Sequence, residues 1–324
     1  MNQESYVINT RVYNTFQNIN QELILNSNKN YLFDLSYLAI LSIEGNQAES
    51  FLQGQLTCDV RDINHTTMRQ GALCNLKGRI QALLDIVKST TYQLILPTDL
   101  IADTQTSLSK VAMLSRVQLS IKNNYKVYGF YLGNKHDKLL PKTHLPTEKY
   151  GLSINENGYC YCIDGSHFII ISSIANQDAL TAPFISNQQF CGSLAWHYLR
   201  IKQAKVEIYP NTRGLFLPHR LELHNQGYIN FNKGCYKGQE IIARTHYRAK
   251  LKHHLAVFTI KIEQPFNAGD KLFDESAQRE VGEVIDYCPL STDGEFLIAA
   301  SILHDHPNKV IIAGQQQPIT LEKR

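Results

Sequence analysis

Phe231-Asn232-Lys233-Gly234-Cys235-Tyr236-Lys237-Gly238-Gln239-Glu240 is the stretch on which the reading of this chain turns. It sets one cysteine between two lysines and two glycines, directly ahead of the helix-like run Ile241-Ile242-Ala243-Arg244. A thiol near a helix N-terminus, with an ammonium group two residues to either side, sits where thiolate is favoured over thiol. Gly234 and Gly238 allow turns through positive φ and the close approach of another surface. The plainer reading is a glycine-bounded turn with Cys235 as a small filler, the commonest fate of a free cysteine. Both readings predict a turn that leads into a helix.

Working outward, the 324 residues are long enough for two or three domains. The net charge of +3 is only mildly basic, which does not by itself indicate nucleic acid and suits an anionic small ligand. Seven cysteines, an odd number, argue against a disulfide framework and for a reducing compartment. Met1 to Asn20 is polar, without the apolar core of a secretory signal, and no run approaches 18 apolar residues. These features predict a cytoplasmic, soluble protein.

Residues 1–30 read as a poorly patterned lead-in with a short helix. Strand patterns cover Tyr31 to Leu35 and Leu41 to Glu44, and a helix with Ala48, Phe51 and Leu52 on its apolar face follows Gly45-Asn46. Gly71 to Leu76 and Ile80 to Val87 predict a hairpin turning at Lys77-Gly78-Arg79. Tyr92 to Leu96, a helix from Pro97 to Leu114, and strands at Val117 to Ile121 and Val127 to Leu132 complete an α+β unit. Gly133 to Lys149 reads as a loop, Tyr159 to Ile163 and Phe168 to Ser172 as strands, and Gln188 to Ile201 as a helix. Cys160 and Cys162 fall on one strand face and read as core packing, and Trp196 reads as core. From Leu255 onward, short strands separated by turn residues predict a small barrel or sandwich.

No H-E-x-x-H, C-x-x-C, Walker loop or G-x-G-x-x-G occurs, so a protein-only metal site is not expected. His253-His254 and His304-Asp305-His306 read as solvated. The Lys77-Gly78-Arg79 turn is either a seat for an anionic tail or a wet turn. Arg244, Arg248, Lys250 and Lys252, with Tyr247 among them, read as an anion-binding face or a solvated helix side.

Lys233 to Glu240 resembles the K-G-C-Y-x-G-Q-E signature of the YgfZ-type folate-binding family, relatives of the glycine-cleavage aminomethyltransferase (T-protein). Phe51-Leu52-Gln53-Gly54-Gln55-Leu56-Thr57 with Asp59-Val60, the hairpin Gly71 to Gly78, and Gly214 to Pro218 with Leu223 resemble further landmarks in family order. The resemblance implies an α+β, three-domain fold, with two α+β domains and a C-terminal β-barrel around a central channel for tetrahydrofolate. The expected division is 1–44 with 122–250, then 45–121, then 251–324. It further implies a folate-binding accessory protein that supports iron–sulfur cluster assembly or repair and, through cluster enzymes such as radical tRNA-thiolating enzymes, tRNA modification. Classical turnover is not expected. A folate-dependent one-carbon transferase and a direct tRNA-binding module stand as alternatives.

On this resemblance Cys235 is the working thiol, touching a transient cluster, a sulfur species or a partner enzyme. Lys233 and Lys237 favour its thiolate, Tyr236 and Gln239 shape the wall, Glu240 anchors the turn, and Gly234 and Gly238 are structural. Folate contacts are expected at Asn75, Lys77, Arg79, Lys202, Glu207, Phe216 and Glu222. Two departures stand out. The strand that carries an aspartate in aminomethyltransferases reads Gln81-Ala82-Leu83-Leu84, with no carboxylate until Asp85. Where the family often has R-I-E-A-G, this chain has Arg200-Ile201-Lys202-Gln203-Ala204, and a lysine only donates where a pterin asks for an acceptor. Glu207 or Glu222 is the expected substitute.

Overall fold

The computed structural model describes residues 3–137, 139–141 and 144–323, so the expected loop from Gly133 to Lys149 lies partly outside the described residues. Four sheets organise them. A five-stranded antiparallel sheet runs in the order Arg69–Cys74, Ile80–Lys88, Tyr92–Pro97, Leu38–Glu44, Gln118–Ile121. The helices Ala48–Gln55 and Ile101–Leu114 belong to the same stretch of chain. A six-stranded sheet takes Leu152–Asn155, Gly158–Cys162, His167–Ser173, Tyr125–Tyr131, Tyr31–Asp34 and Phe190–Cys191, the last pair parallel. Sheet membership therefore changes between Asp34 and Leu38. Leu38–Glu44, expected with the first domain, hydrogen-bonds inside the five-stranded sheet, where its near-continuous apolar run pairs antiparallel with Tyr92–Pro97 and is buried from Ile40 to Ile43.

The C-terminal sheet has seven strands, with His253–Lys261, Glu295–Leu303 and Glu280–Pro289 as its long neighbours, and it curls nearly closed. Closure removes exposed edges, which is how short antiparallel strands with turn residues between them avoid pairing with other chains. Cys160 and Cys162 are buried in the strand Gly158–Cys162, and both join the apolar cluster around Phe130 and Phe168.

The sequence reading needs correction at four points. The lead-in holds a hairpin, Glu4–Ile8 with Arg11–Thr15, before the short helix Ile19–Glu22. The hairpin is stabilised through distant contacts: buried Arg11 pairs with Asp99 at 2.8 Å and with Glu207, and the backbone N–H of Asn9 donates to the Tyr287 hydroxyl at 3.2 Å. The helix expected from Gln188 begins at Ser193, because Phe190–Cys191 is drawn into the six-stranded sheet beside Leu32 and Phe33. The helix Gln177–Ser186 was not anticipated, since Pro183 interrupts its periodic pattern. His253 and His254, expected to be solvated, are half-buried where they open a barrel strand, and His254 stacks on His304 with ring centroids 4.6 Å apart.

Candidate functional site: a polar cleft and an exposed thiol

A cleft of about 700 Å³, counting its open mouth, lies between the five-stranded and six-stranded sheets. Leu83, Ile95 and Ile169 give it apolar walls, and Tyr37, Trp196 and Tyr228 add aromatic faces. Trp196 is both core and platform: it is 3% exposed and packs on Gly129 and Phe33, while still bordering the cleft.

The polar groups are few and mostly committed. The strand Ile80–Lys88 alternates buried and partly open positions, so Gln81, Leu83 and Asp85 share the open face. Asp85 accepts from Gln70 Nε2 at 2.8 Å and from the Tyr161 hydroxyl at 2.8 Å. Burial pushes its carboxyl above the usual range, against the lowering effect of those two donors and of Arg200. What surface it keeps opens toward the cleft it lines.

Glu207 is held differently. Tyr13 donates to its Oε2 at 2.8 Å, Tyr37 to its Oε1 at 2.6 Å, and Arg11 pairs with it directly. Burial opposes its ionisation, but Arg11, His197 and the two tyrosines outweigh burial and hold the carboxyl below its ordinary value. Lys205 donates to Gln226 at 2.7 Å; burial, with Arg200 and Lys149 nearby, pushes its ammonium down to about 8.

The cysteine motif is a separate construction. Lys233 is 5% exposed, and its ammonium donates to the carbonyls of Gln53 at 2.8 Å, Leu56 at 2.6 Å and Cys58 at 2.7 Å. The Lys237 backbone N–H donates to the Gly54 carbonyl at 3.0 Å. These are the terminal carbonyls of the helix Ala48–Gln55 and of the turn after it, groups that a helix end leaves unpaired. The motif therefore caps a helix built from the other family-like landmark, Phe51 to Thr57.

Tyr236 packs beneath, with the Lys233 ammonium 5.0 Å from its ring centroid. Its buried hydroxyl has no partner among the described residues. Gly238 has φ of 85°, and a Cβ there would stand 2.5 Å from the Asn75 carbonyl oxygen and 2.9 Å from Gly78 Cα. Two glycines thus let the cysteine motif dock on the Lys77-Gly78-Arg79 turn. Cys235 projects outward as the exposed member of the seven free cysteines, and the other six are buried.

Several expected site residues sit elsewhere. Lys233 points at carbonyls rather than at the thiol, because three converging acceptors hold a buried ammonium better than one exposed sulfur would. Cys235 lies four residues before the helix Gln239–Arg248, outside its first turn. Glu240 is exposed in that turn without a side-chain capping bond, so it does not anchor it, and the Gln239 backbone N–H donates to the Tyr236 carbonyl at 3.1 Å. Gly234 does not take positive φ, and a Cβ there would meet nothing.

Phe216 is core, 1% exposed, with its carbonyl accepting from the Ile80 N–H. Glu222 accepts from the Leu255 N–H at 3.3 Å and tethers the barrel. Lys202 is exposed at the end of the helix Ser193–Lys202, its ammonium 5.4 Å from the Tyr198 ring centroid. Asn75, Lys77 and Arg79 form the turn itself: Asn75 Oδ1 accepts the N–H groups of Lys77 and Arg79, and the Arg79 guanidinium bonds the Leu215 carbonyl. Of the expected folate contacts, Glu207 alone lines the cleft. Asp85, Gln70, Arg200, Lys205 and Tyr228 also line it but were not expected as ligand contacts. The one available signal was the strand register that sets Asp85 on the face of Leu83.

The cleft and the thiol are joined through one segment. Tyr228 borders the cleft, its carbonyl accepts from the Thr57 hydroxyl at 2.7 Å, and Asn230 N–H donates to the Thr57 carbonyl at 2.9 Å before the chain reaches Cys235. Beside this segment Phe231 stacks on His246 at 3.8 Å, and His219 and His224 lie close by. Among the described residues no group of three or more acidic, histidine or cysteine side chains is arranged to hold a metal ion, and no helix is long and apolar enough to cross a membrane.

No family model matches the chain. A protein of Colwellia psychrerythraea called tRNA-modifying protein YgfZ is 28% identical over 282 residues, covering 85% of this chain and 86% of that protein. Proteins of the same name from Sodalis glossinidius and Klebsiella pneumoniae are 27% and 25% identical, each covering 85% of both chains. The chain is a relative of the YgfZ proteins. The glycine cleavage system aminomethyltransferase T of Bartonella henselae superposes with a TM-score of 0.64 at 15% identity, covering 94% of this chain and 88% of that one. The fold is therefore aminomethyltransferase-like, α+β with a nearly closed C-terminal barrel. The YgfZ-like signature and the helix it caps are the landmarks that meet in the structure.

Proposed function

We propose that this protein is a folate-binding accessory factor that presents Cys235 to an iron–sulfur species or to the enzyme that carries one, and so supports tRNA modification by cluster-dependent enzymes. The observation that carries the reading is the pairing of an aromatic, partly polar cleft with a single exposed thiol on the segment that leaves it. The cleft's aromatic faces suit a planar ring. Arg200 and Lys205 add positive charge for an anionic tail. Tetrahydrofolate, when bound, supplies a pair of nitrogens able to carry a one-carbon unit. The chain's own part is to bind and orient it and to keep water from its ring.

One accessible thiolate cannot hold a cluster that normally takes about four cysteine ligands, so any cluster is cargo shared with a docking partner. The names of the YgfZ relatives support the tRNA side of the reading. The stretch Gln81 to Leu84, on the strand where aminomethyltransferases carry an aspartate, has no carboxylate, which speaks against one-carbon transfer by their route.

The test is complementation in a strain lacking the native protein, comparing wild type with Cys235→Ser. Thiolated tRNA and cluster-enzyme activity under oxidative stress should recover with wild type and not with the variant. Full rescue by Cys235→Ser would sink the thiol assignment. Absence of tetrahydrofolate binding by calorimetry at millimolar ligand would sink the folate assignment.

A further inference from the structure

The cleft contains two carboxylates, and their hydrogen bonding separates them. Glu207 is the more committed: one oxygen takes Arg11 and Tyr13, the other takes Tyr37 and keeps a single site, and the guanidinium neutralises the charge. Asp85 accepts a single bond on each oxygen, from Gln70 and from Tyr161, both neutral donors. An ionised carboxylate offers about four acceptor sites, so each Asp85 oxygen keeps one for the cleft. No ion pair reaches it among the described residues; Arg200, the cation that acts on it at longer range, bonds Asp164 at 3.4 Å. A carboxylate buried without a counter-ion is costly, and such groups concentrate at functional sites. Lys202, which stands where relatives often place a glutamate, is on the exposed end of its helix and does not line the cleft.

We propose that Asp85 is the specificity-determining acceptor of the cleft, reading the adjacent N–H and NH2 donors of a 2-amino-4-oxo-pyrimidine ring through two parallel hydrogen bonds. This deepens the folate reading and rests on it. Two neighbouring donors on a planar ring match two neighbouring carboxylate oxygens, and the charge makes each bond stronger than a neutral one. Gln70 and Tyr161 are positioning residues: one donor on each oxygen fixes the plane of the carboxylate and leaves its open edge to the ligand. The ligand class follows from the donor pair. Pterins and reduced folates carry it; the corresponding ring with oxygen in place of the 2-amino group does not.

The experiment titrates the full-length protein with 5-formyltetrahydrofolate and with its 2-desamino-2-oxo analogue, by calorimetry and by the fluorescence of Trp196, the chain's single tryptophan, which borders the cleft. Wild type should prefer the amino compound by about 10- to 100-fold, the range expected for hydrogen bonds to a charged group. Asp85→Asn should weaken the amino compound by a similar factor while binding the two ligands within about threefold of each other. Equal affinity of wild type for the two compounds overturns the inference without any variant, and leaves folate binding intact. Unchanged affinity in a folded Asp85→Asn protein overturns it as well. Failure of wild type to bind either compound overturns both the inference and the folate reading.

Discussion

Replacing Lys233 by methionine keeps the apolar stem and removes the ammonium that three carbonyls share. Hydrogen bonds to a charged donor contribute about 1.5–3 kcal/mol each, so the three at 2.6–2.8 Å give a gross contribution of about 5–9 kcal/mol. Against this stands the desolvation that pushes the ammonium down from 10.5 to about 8. That shift amounts to about 3 kcal/mol, reduced further by residual solvent screening. Lys233→Met is therefore expected to cost about 2–5 kcal/mol, and to lower the melting temperature by about 3–7 °C at this chain length. The loss should be local as well as global, since Gln53, Leu56 and Cys58 would be left with unpaired carbonyls. Differential scanning fluorimetry reads the first effect, and hydrogen exchange of residues 48–58 the second. Cys235→Ser, altering an exposed side chain, should melt within about 1 °C of wild type and serves as the control. If Lys233→Met melts with wild type and these amides keep their protection, the lysine is not a structural cap, and the sequence-based reading of a thiol-activating charge regains its footing.

Two further predictions follow from the same neighbourhood. Gly238→Ala should cost about 1–3 kcal/mol and loosen the hairpin turn, because the new Cβ meets the Asn75 carbonyl at 2.5 Å in a left-handed conformation, while Gly234→Ala should fall within about 0.5 kcal/mol; urea melts that order the pair otherwise refute the docking. His219 is pushed down to about 4 by burial and by His224 and His246, so its neutral form is favoured by the fold. The sign is then set: its contribution is complete above the ordinary value of 6.5 and is lost as pH falls from there toward 4, because the unfolded chain takes the proton first. A loss of about 1–2 kcal/mol over that window, flattened in His219→Leu, is expected in urea midpoints measured against pH; an unchanged slope in the variant would rule the assignment out.

Much of this protein was readable residue by residue. The alternation in Ile80–Lys88, the turn at Lys77-Gly78-Arg79, the strand–turn rhythm after Leu255 and the turn before Gln239 are local, and local preferences act over a few residues. The octapeptide around Cys235, with the landmarks before it, was enough to indicate the family and to mark the one thiol that reaches solvent. What the sequence could not disclose is where side chains point once distant segments meet. Lys233 finds its carbonyls 175 to 180 residues away, and Arg11 finds Glu207 at a separation of 196. The N-terminal hairpin, patternless on its own, is ordered by those partners. Asp85 was visible only as the first carboxylate after a missing one. Its register on the open face of a strand, and the commitment of Glu207 to Arg11 and two tyrosines, are tertiary facts, and together they leave it the carboxylate without an ion pair in the cleft. Lys233 beside Cys235 shows the same division: adjacency in the chain predicted an electrostatic partner for the thiol, and packing turned the lysine into the cap of a helix.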